Sequence, residues 1–598
     1  MKKMGPVVLD RDRGEVMFRV FAYDKKGVSL VVKDKGKEKV IPMEEESPHV
    51  YSTLIKGFGP CPLYKFRLHD EGDYPDPFSP FQPFGVHGFS QVVDHEGFPW
   101  KDHLWRGIEQ EKMIIYEIHV GTFTPRGTFK GVMEKLDYLL DLGINTIELM
   151  PLTQTPGRWN WGYDGVNLFS VNHNYGTPQD LKLLIDTCHQ KGISLLLDVV
   201  YNHLGPEGNY LPLFGPYFTF KHKTPWGAAV NFDDQYSRYT REMVLQNICY
   251  WREKYHFDGL RLDAVHAIKD ESPVHILQEI GEKARELADR EGRSYWIIAE
   301  SDENDVRLID PPSRGGYGLH GVWMDDFHHC IHTTLTGERE GYYMDYRGIK
   351  DLEKVFKNFI YTGQMSSYWR KTRGRDASQY PGYQFVVALQ NHDQVGNRAQ
   401  GERLSSLVEF PYLKAAAGLL FLSPYIPLIF MGEEYGEENP FLFFTDFQDP
   451  QLKKAVSRGR KNEFKEFNWK EVPDPEEEDT FFRSFLTPPE GWKDLNHSLL
   501  NFFRDLIDLR KNHPALKILD KGKVSIKVDP QLRFIQVNRQ NQGRALIGLF
   551  NLGQNPHDIS PMKGSHLLNT EWKKYGGGIE GEHRLLLKGN MILLETEG

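Results

Sequence analysis

The chain has 598 residues, 39% hydrophobic and 26% charged, with a net charge of -10. It is too long for one ordinary core and predicts about three domains, while the negative balance argues against a general affinity for nucleic acid or an anionic membrane. Met1 to Pro6 runs into polar sequence and not into an apolar h-region, no apolar run reaches transmembrane length, and Cys61, Cys188, Cys249 and Cys330 lie far apart with no CxxC spacing. These features predict a reduced, cytoplasmic protein with neither a disulfide framework nor a zinc site. Aromatics make up 13% of the chain, many in loop-like contexts. That hints at a ligand with flat apolar faces such as a sugar, although core packing explains most aromatics in most proteins.

Residues 1–105 read as a small β-sandwich domain. Val16–Phe21 and Val28–Val32 are strand-like runs between polar turns. Pro75-Asp76-Pro77-Phe78-Ser79-Pro80 cannot lie inside a helix and marks an irregular exit, with Trp100 and Trp105 near the junction. Residues 106–515 change to alternating strands and helices. Eight apolar runs are predicted as strands buried on both faces: Met113–His119, Asn145–Met150, Ser194–Val200, Leu260–Val265, Tyr295–Ala299, Val322–Asp325, Gln384–Leu389 and Ile426–Phe430. Helical spacing covers Phe129–Leu142 before Gly143, a stretch from Pro178 to Gly192, Arg241–Tyr255, His275–Arg290 and Leu352–Tyr361. The fold class is therefore α/β, a (β/α)₈ TIM barrel, whose active site belongs at the C-terminal ends of the strands. The acidic run Asp474–Asp479 reads as a solvated loop. An amphipathic helix over Asn496–Arg510 stops at Asn512-His513-Pro514, and residues 516–598 form a C-terminal β domain with strands at Val524–Val528, Phe534–Val537 and Ala545–Phe550.

Chemistry concentrates where the strands end. The third closes on Asp198 to His203, the fourth carries Arg261 and Asp263 before His266, the fifth ends at Glu300 and the seventh leads into His392 and Asp393. Alone, Arg261 and Asp263 could be a structural ion pair on one strand face. With Glu300 and Asp393, three acids meet at one barrel mouth beside two histidines and an arginine. Mutual repulsion should raise at least one carboxyl pKa, as acid–base work requires. Glycoside hydrolysis fits: one carboxylate attacks the anomeric carbon, a protonated carboxyl gives its proton to the leaving oxygen, and neither metal nor organic cofactor is needed.

Four segments, Asp198–His203, Gly259–His266, Ile298–Ser301 and Val387–Asp393, make the chain resemble the α-amylase family of glycoside hydrolases. The resemblance implies a retaining mechanism with Asp263 as nucleophile, Glu300 as proton donor and Asp393 as transition-state stabiliser. Arg261 would orient Asp263, and His203 and His392 would bind sugar hydroxyls. Retention predicts Asp263 and Glu300 carboxyls roughly 5–5.5 Å apart. His266 reads equally as a wall residue or a ligand. Asn202 matches a position that binds calcium in many family members, but further acidic ligands are not evident, so it reads as structural.

Finer segments resemble the maltooligosyltrehalose trehalohydrolase branch of that family: Phe84–Gly88, Tyr116–Pro125, Trp161–Gly165, Gly215–Phe218, Trp323–His329 and Phe430–Glu434. This resemblance implies cleavage of the α-1,4 bond next to a terminal trehalose unit, and a functional pairing with a trehalose-forming synthase. By it, Arg261 to His266, Met324, Asp325, Asp326, Phe327 and His328, and His392, Gln394 and Asn397 would line the cleft, together with Asp164. Tyr163, Trp161 and Phe327 are candidate stacking platforms, or else wall residues of their own loops. Asp325 or Asp326 could bind hydroxyls or cap a loop. A glycogen branching enzyme and a non-catalytic glucan-binding scaffold are the rival readings.

Overall fold

The computed structural model describes residues 3–34, 36–59, 61–69, 71–463 and 472–597, so Met1, Lys2 and Gly598 lie outside the described residues. Its centre is a closed barrel of eight parallel strands in sequence order. They are β1 (Ile115–Ile118), β2 (Thr146–Leu149), β3 (Ser194–Val199), β4 (Gly259–Leu262), β5 (Trp296–Ala299), β6 (Gly321–Trp323), β7 (Phe385–Ala388) and β8 (Ile426–Phe430). Apart from half-buried Trp296, every residue of these strands is buried, which is why the sequence reads as apolar runs and not as alternation. All eight expected strands are present. Seven of the eight are shorter than their apolar runs, and two of these stop early for a visible reason. The fourth stops at Leu262, because Ala264 turns into the left-handed region (φ 38). The sixth stops at Trp323, and Asp325 opens helix α1 (Asp325–Leu335).

The helices follow their end signals. Pro178–Gln190 starts on a capping box between Thr177 and Asp180. Leu136–Leu142 ends at Gly143, whose φ of 99 requires glycine. The helix expected over Phe129–Leu142 is instead two, Phe129–Glu134 and Leu136–Leu142. At the break, the Lys135 N–H donates back to Val132 in a tighter turn. The helix expected over Leu352–Tyr361 is only Leu352–Val355. Asn358 ends it: its side-chain oxygen accepts from Phe359 N (2.9 Å) and Ala377 N (2.8 Å), competing with helical bonding. The acidic run is not simply solvated. Glu476 accepts from Thr445 at 2.6 Å, and Glu478 begins a short helix, Glu478–Phe482.

Two sheets precede the barrel. One orders Gly5–Asp10, Glu15–Phe21, Val50–Ile55 and Glu44–Ser47; the other holds Lys37–Pro42, Val28–Asp34, Leu63–Leu68 and Gly72–Tyr74. Phe18, Val20, Leu30, Val32, Tyr64 and Phe66 fill the core of this sandwich. Phe21 stacks on Tyr239 of the helix Ser237–Tyr255, and the Trp105 indole donates to buried Asp258 at 2.8 Å. After the barrel, a five-stranded antiparallel sheet is held by buried Arg539, which donates to the carbonyls of Leu422 and Ser423.

Candidate active site

The site is built on the Arg261 guanidinium. β3 and β4 pair with Asp198 opposite Arg261. Nη1 of Arg261 reaches Asp198 Oδ2 at 2.6 Å and Asp263 Oδ1 at 2.9 Å, while Nη2 lies 3.6 Å from Glu300 Oε2. The same guanidinium lies 4.4 Å above the Trp323 ring, a cation–π contact that further stabilises its charge in a dry setting. One cation thus touches the acids from β3, β4 and β5. The turn after β4 is clamped onto Glu300: Ala264 N–H donates to Glu300 Oε2 at 2.5 Å, and Val265 N–H to the Glu300 carbonyl at 3.0 Å. These bonds over-determine the left-handed Ala264, which would otherwise be strained.

The electrostatics separate the two carboxyls. Burial pushes the Asp263 carboxyl up, but Arg261, His203 and the Asn202 amide outweigh it and hold Asp263 below the ordinary aspartate range. Burial pushes Glu300 well above the glutamate range; Arg261 opposes this, and Asp263, Asp325 and Asp393 add to it. The surroundings therefore favour the ionised form of Asp263 and the protonated form of Glu300. That division of charge suits a nucleophile and a proton donor.

Asp393 lies half-buried beyond β7 at the start of helix α2 (His392–Gly396), where Asn391 caps the turn by accepting from Gln394 N–H at 2.8 Å. Asn397, one turn on, donates to Asp393 Oδ1 at 2.5 Å. Gln394 is buried. His392 stacks on Tyr163, and the Tyr163 hydroxyl lies 2.5 Å from Asp198 Oδ2 and 2.8 Å from His392 Nε2. His203 sits beside Asn202 and packs flat against Trp226, ring centroids 4.4 Å apart. His266 is half-buried, 3.6 Å from Asp302. Asp164 accepts from Asn160 at 2.8 Å, and burial raises its carboxyl. Asp325 is half-buried; burial, and then Asp393, push it up to about 7.

Four expected cleft residues belong to the packing behind it. Phe327 is fully buried (0% exposed) against Phe356 and Tyr425, so it is no stacking platform. Met324 is buried in the same core. His328 is buried and spends its ring nitrogens on the Leu389 carbonyl and the Tyr343 hydroxyl. Asp326 is buried and accepts from Asn304, Tyr346 and the Ile360 N–H. On α1 consecutive residues turn by about 100°, so a cleft-facing Asp325 sends Phe327 to the opposite side. Trp161 is also a wall residue: its indole donates to Leu442 and its ring stacks on Phe441.

Two positions gain a role. Asn202 donates to the Asp263 carbonyl at 2.7 Å and to Asp263 Oδ2 at 2.8 Å, so its amide holds the Asp263 carboxylate directly. Trp226, on the hairpin Phe218–Thr224 and Gly227–Val230, is 50% exposed beside His203. Its aromatic type was the only signal in the sequence. Among the described residues one cluster has cation-binding spacing, His222, Asp233 and Glu271. The Lys221 ammonium already lies 2.9 Å from Asp233 and 3.1 Å from Glu271, so an internal cation occupies that position.

Comparison with known proteins agrees with this geometry. Residues 74–212 and 233–518 match the α-amylase catalytic domain, and residues 3–81 match carbohydrate-binding module 48, the isoamylase N-terminal domain. A Saccharolobus solfataricus protein named malto-oligosyltrehalose trehalohydrolase is 46% identical over 503 residues, covering 84% of this chain and 86% of its own. A Salmonella typhimurium protein described as an alpha amylase superposes with a TM-score of 0.90 at 36% identity, covering 100% of both chains. A 1,4-alpha-glucan branching enzyme from Geobacillus stearothermophilus is more distant, 27% identical over 63% of this chain and 60% of its own. The chain belongs to the α-amylase family of glycoside hydrolases.

Proposed function

We propose that the chain is a retaining hydrolase that cuts the α-1,4-glucosidic bond next to the terminal trehalose unit of maltooligosyl trehalose, releasing trehalose. The observation that carries the reaction class is the shared guanidinium: Arg261 bonds Asp263 at 2.9 Å, favouring its ionised form, and lies 3.6 Å from Glu300, whose burial favours the protonated form. Asp263 attacks the anomeric carbon to form a glycosyl ester, while Glu300 gives its proton to the departing trehalose oxygen. Glu300, now a carboxylate, takes a proton from water, which cleaves the ester and restores Asp263. Asp393, held by Asn397, would stabilise the oxocarbenium charge. The substrate rests on the 46% identity to a protein of that name and on the Trp323–His329 segment.

A trehalose-forming synthase is the source we infer for the capped substrate. We place the pair in the cytoplasm, in keeping with four free cysteines. No helix among the described residues is long and apolar enough to cross a membrane. The test compares trehalose release from a maltooligosyl trehalose of defined length with hydrolysis of the plain maltooligosaccharide. Preferential cleavage of the capped substrate is expected. New α-1,6 branches on amylose, with no trehalose from the capped substrate, would establish the branching enzyme instead.

A further inference from the structure

We propose that Glu117, which lies outside the three catalytic carboxyls, is a positioning residue that keeps His392 as an imidazolium and aims its Nε2–H at Tyr163. The proposal rests on the catalytic reading above. Glu117 is buried on β1, and both its carboxylate oxygens are spent on His392: Oε2 accepts the backbone N–H at 2.8 Å, and Oε1 faces Nδ1 at 2.5 Å. On the other side of the ring, Nε2 lies 2.8 Å from the Tyr163 hydroxyl. That hydroxyl has one proton, and Asp198 Oδ2, 2.5 Å away, is the carboxylate that takes it. The hydroxyl oxygen then meets Nε2 as an acceptor, so Nε2 carries hydrogen. Nδ1, facing a carboxylate, carries hydrogen as well. A ring with two N–H groups is an imidazolium.

The surroundings favour that charge on balance. Asp393, Asp198 and Asp263 face His392 and favour its charge, while Arg261 opposes it; burial lowers His119 to about 4, so that ring adds no charge near neutral pH. Burial alone would lower the His392 pKa, yet it stands above its ordinary value, and Glu117 is the largest contributor in that direction. Glu148 pairs with Glu117 across β1 and β2, and burial, then Glu117 and Asp198, push its carboxyl well up, which disfavours a second anion beside Glu117. The bonds form one line: Glu117, His392, Tyr163, Asp198, Arg261, Asp263. A neutral His392 would accept the Tyr163 O–H hydrogen bond at Nε2, and Asp198 would lose that donor. The change would then reach Arg261 and the nucleophile without any contact between Glu117 and a sugar.

The experiment is ¹H–¹⁵N spectroscopy of the full chain labelled at histidine, with His392→Asn identifying the signal, together with kinetics of Glu117→Gln and Glu117→Asp. In the wild type at pH 7.5, without substrate, His392 should show two protonated ring nitrogens. In folded Glu117→Gln it should show one, and kcat should fall about 10- to 100-fold with KM changed far less; Glu117→Asp should recover part of kcat. A wild-type His392 with a single protonated nitrogen overturns the proposal, even if Glu117→Gln does not fold. So does a folded Glu117→Gln with kcat within twofold of wild type. The spectrum needs no substrate, so an enzyme inactive on capped oligosaccharides would sink the functional reading and leave this one standing.

Discussion

Replacing Asn202 by alanine is the sharpest probe of how the nucleophile is held. The substitution removes three bonds, one to Asp263 Oδ2 at 2.8 Å, one to the Asp263 carbonyl at 2.7 Å and one between Asn202 Oδ1 and His203 Nδ1. The first is charge-assisted, a kind worth about 1.5–3 kcal/mol. Without it Asp263 keeps Arg261 on Oδ1 but is free to swing about that contact. Loss of near-attack orientation of this kind costs about 100-fold, so kcat should fall by about 10- to 100-fold. The sign of the pH effect follows from the same bond. Asn202 helps to depress Asp263, so its removal raises the Asp263 pKa, and the acid-side loss of kcat/KM moves to higher pH. Asn202→Asp should be worse at neutral pH, because it removes the donor and sets a second anion beside the nucleophile. The assay is trehalose release across pH, with a melting curve to confirm folding. A folded Asn202→Ala enzyme with kcat within twofold of wild type and an unmoved acid limb would refute the reasoning.

Glu300→Gln should lower kcat on maltooligosyl trehalose by about 10²–10⁴-fold, and much less on an aryl glycoside whose leaving group needs no proton; equal losses on both would contradict the acid role. Because Glu300 stays protonated above the ordinary glutamate range, wild-type kcat/KM should decline only as pH rises through that raised value, and the quadruple comparison of pH limbs in wild type, Glu300→Gln and both substrates reads this directly. Phe327→Ala should destabilise the protein by about 3–5 kcal/mol in urea unfolding with KM unchanged for the folded fraction; a stable protein with a raised KM would restore Phe327 to the cleft. Trp226→Ala should leave stability unchanged and raise KM about 2- to 10-fold, the worth of one aromatic contact; an unchanged KM across substrate lengths would remove Trp226 from the binding surface.

The barrel was legible because its strands are buried on both faces, so each had to be an apolar run, and the runs alternate with helices. The cluster of acids around Arg261 was legible because these acids close strands whose ends must face one mouth. Strand ends, by contrast, depend on tertiary bonds: Glu300 pulls Ala264 into a left-handed turn and stops β4 at Leu262. Expecting Met324–His328 to line the cleft throughout treats a helix as if all its sides faced one way. Its turn sends Asp325 to the acids and buries Phe327 and Asp326. Asn202 reads as structural in the sequence because no further acidic calcium ligands are evident, and its actual partner, Asp263, is 61 positions away. Glu117 was unreadable for a similar reason, since nothing local on β1 indicates that His392, 275 positions on, needs both its oxygens.

The central claim, a retaining hydrolase specific for a trehalose-capped chain, is tested most directly by a proton NMR time course on maltooligosyl trehalose. The account predicts free trehalose and shortened oligosaccharide in equal amounts, with the new reducing end appearing first as the α anomer and only later equilibrating to β. A new reducing end that appears first as β, or bond cleavage that leaves trehalose attached to glucan, would contradict it.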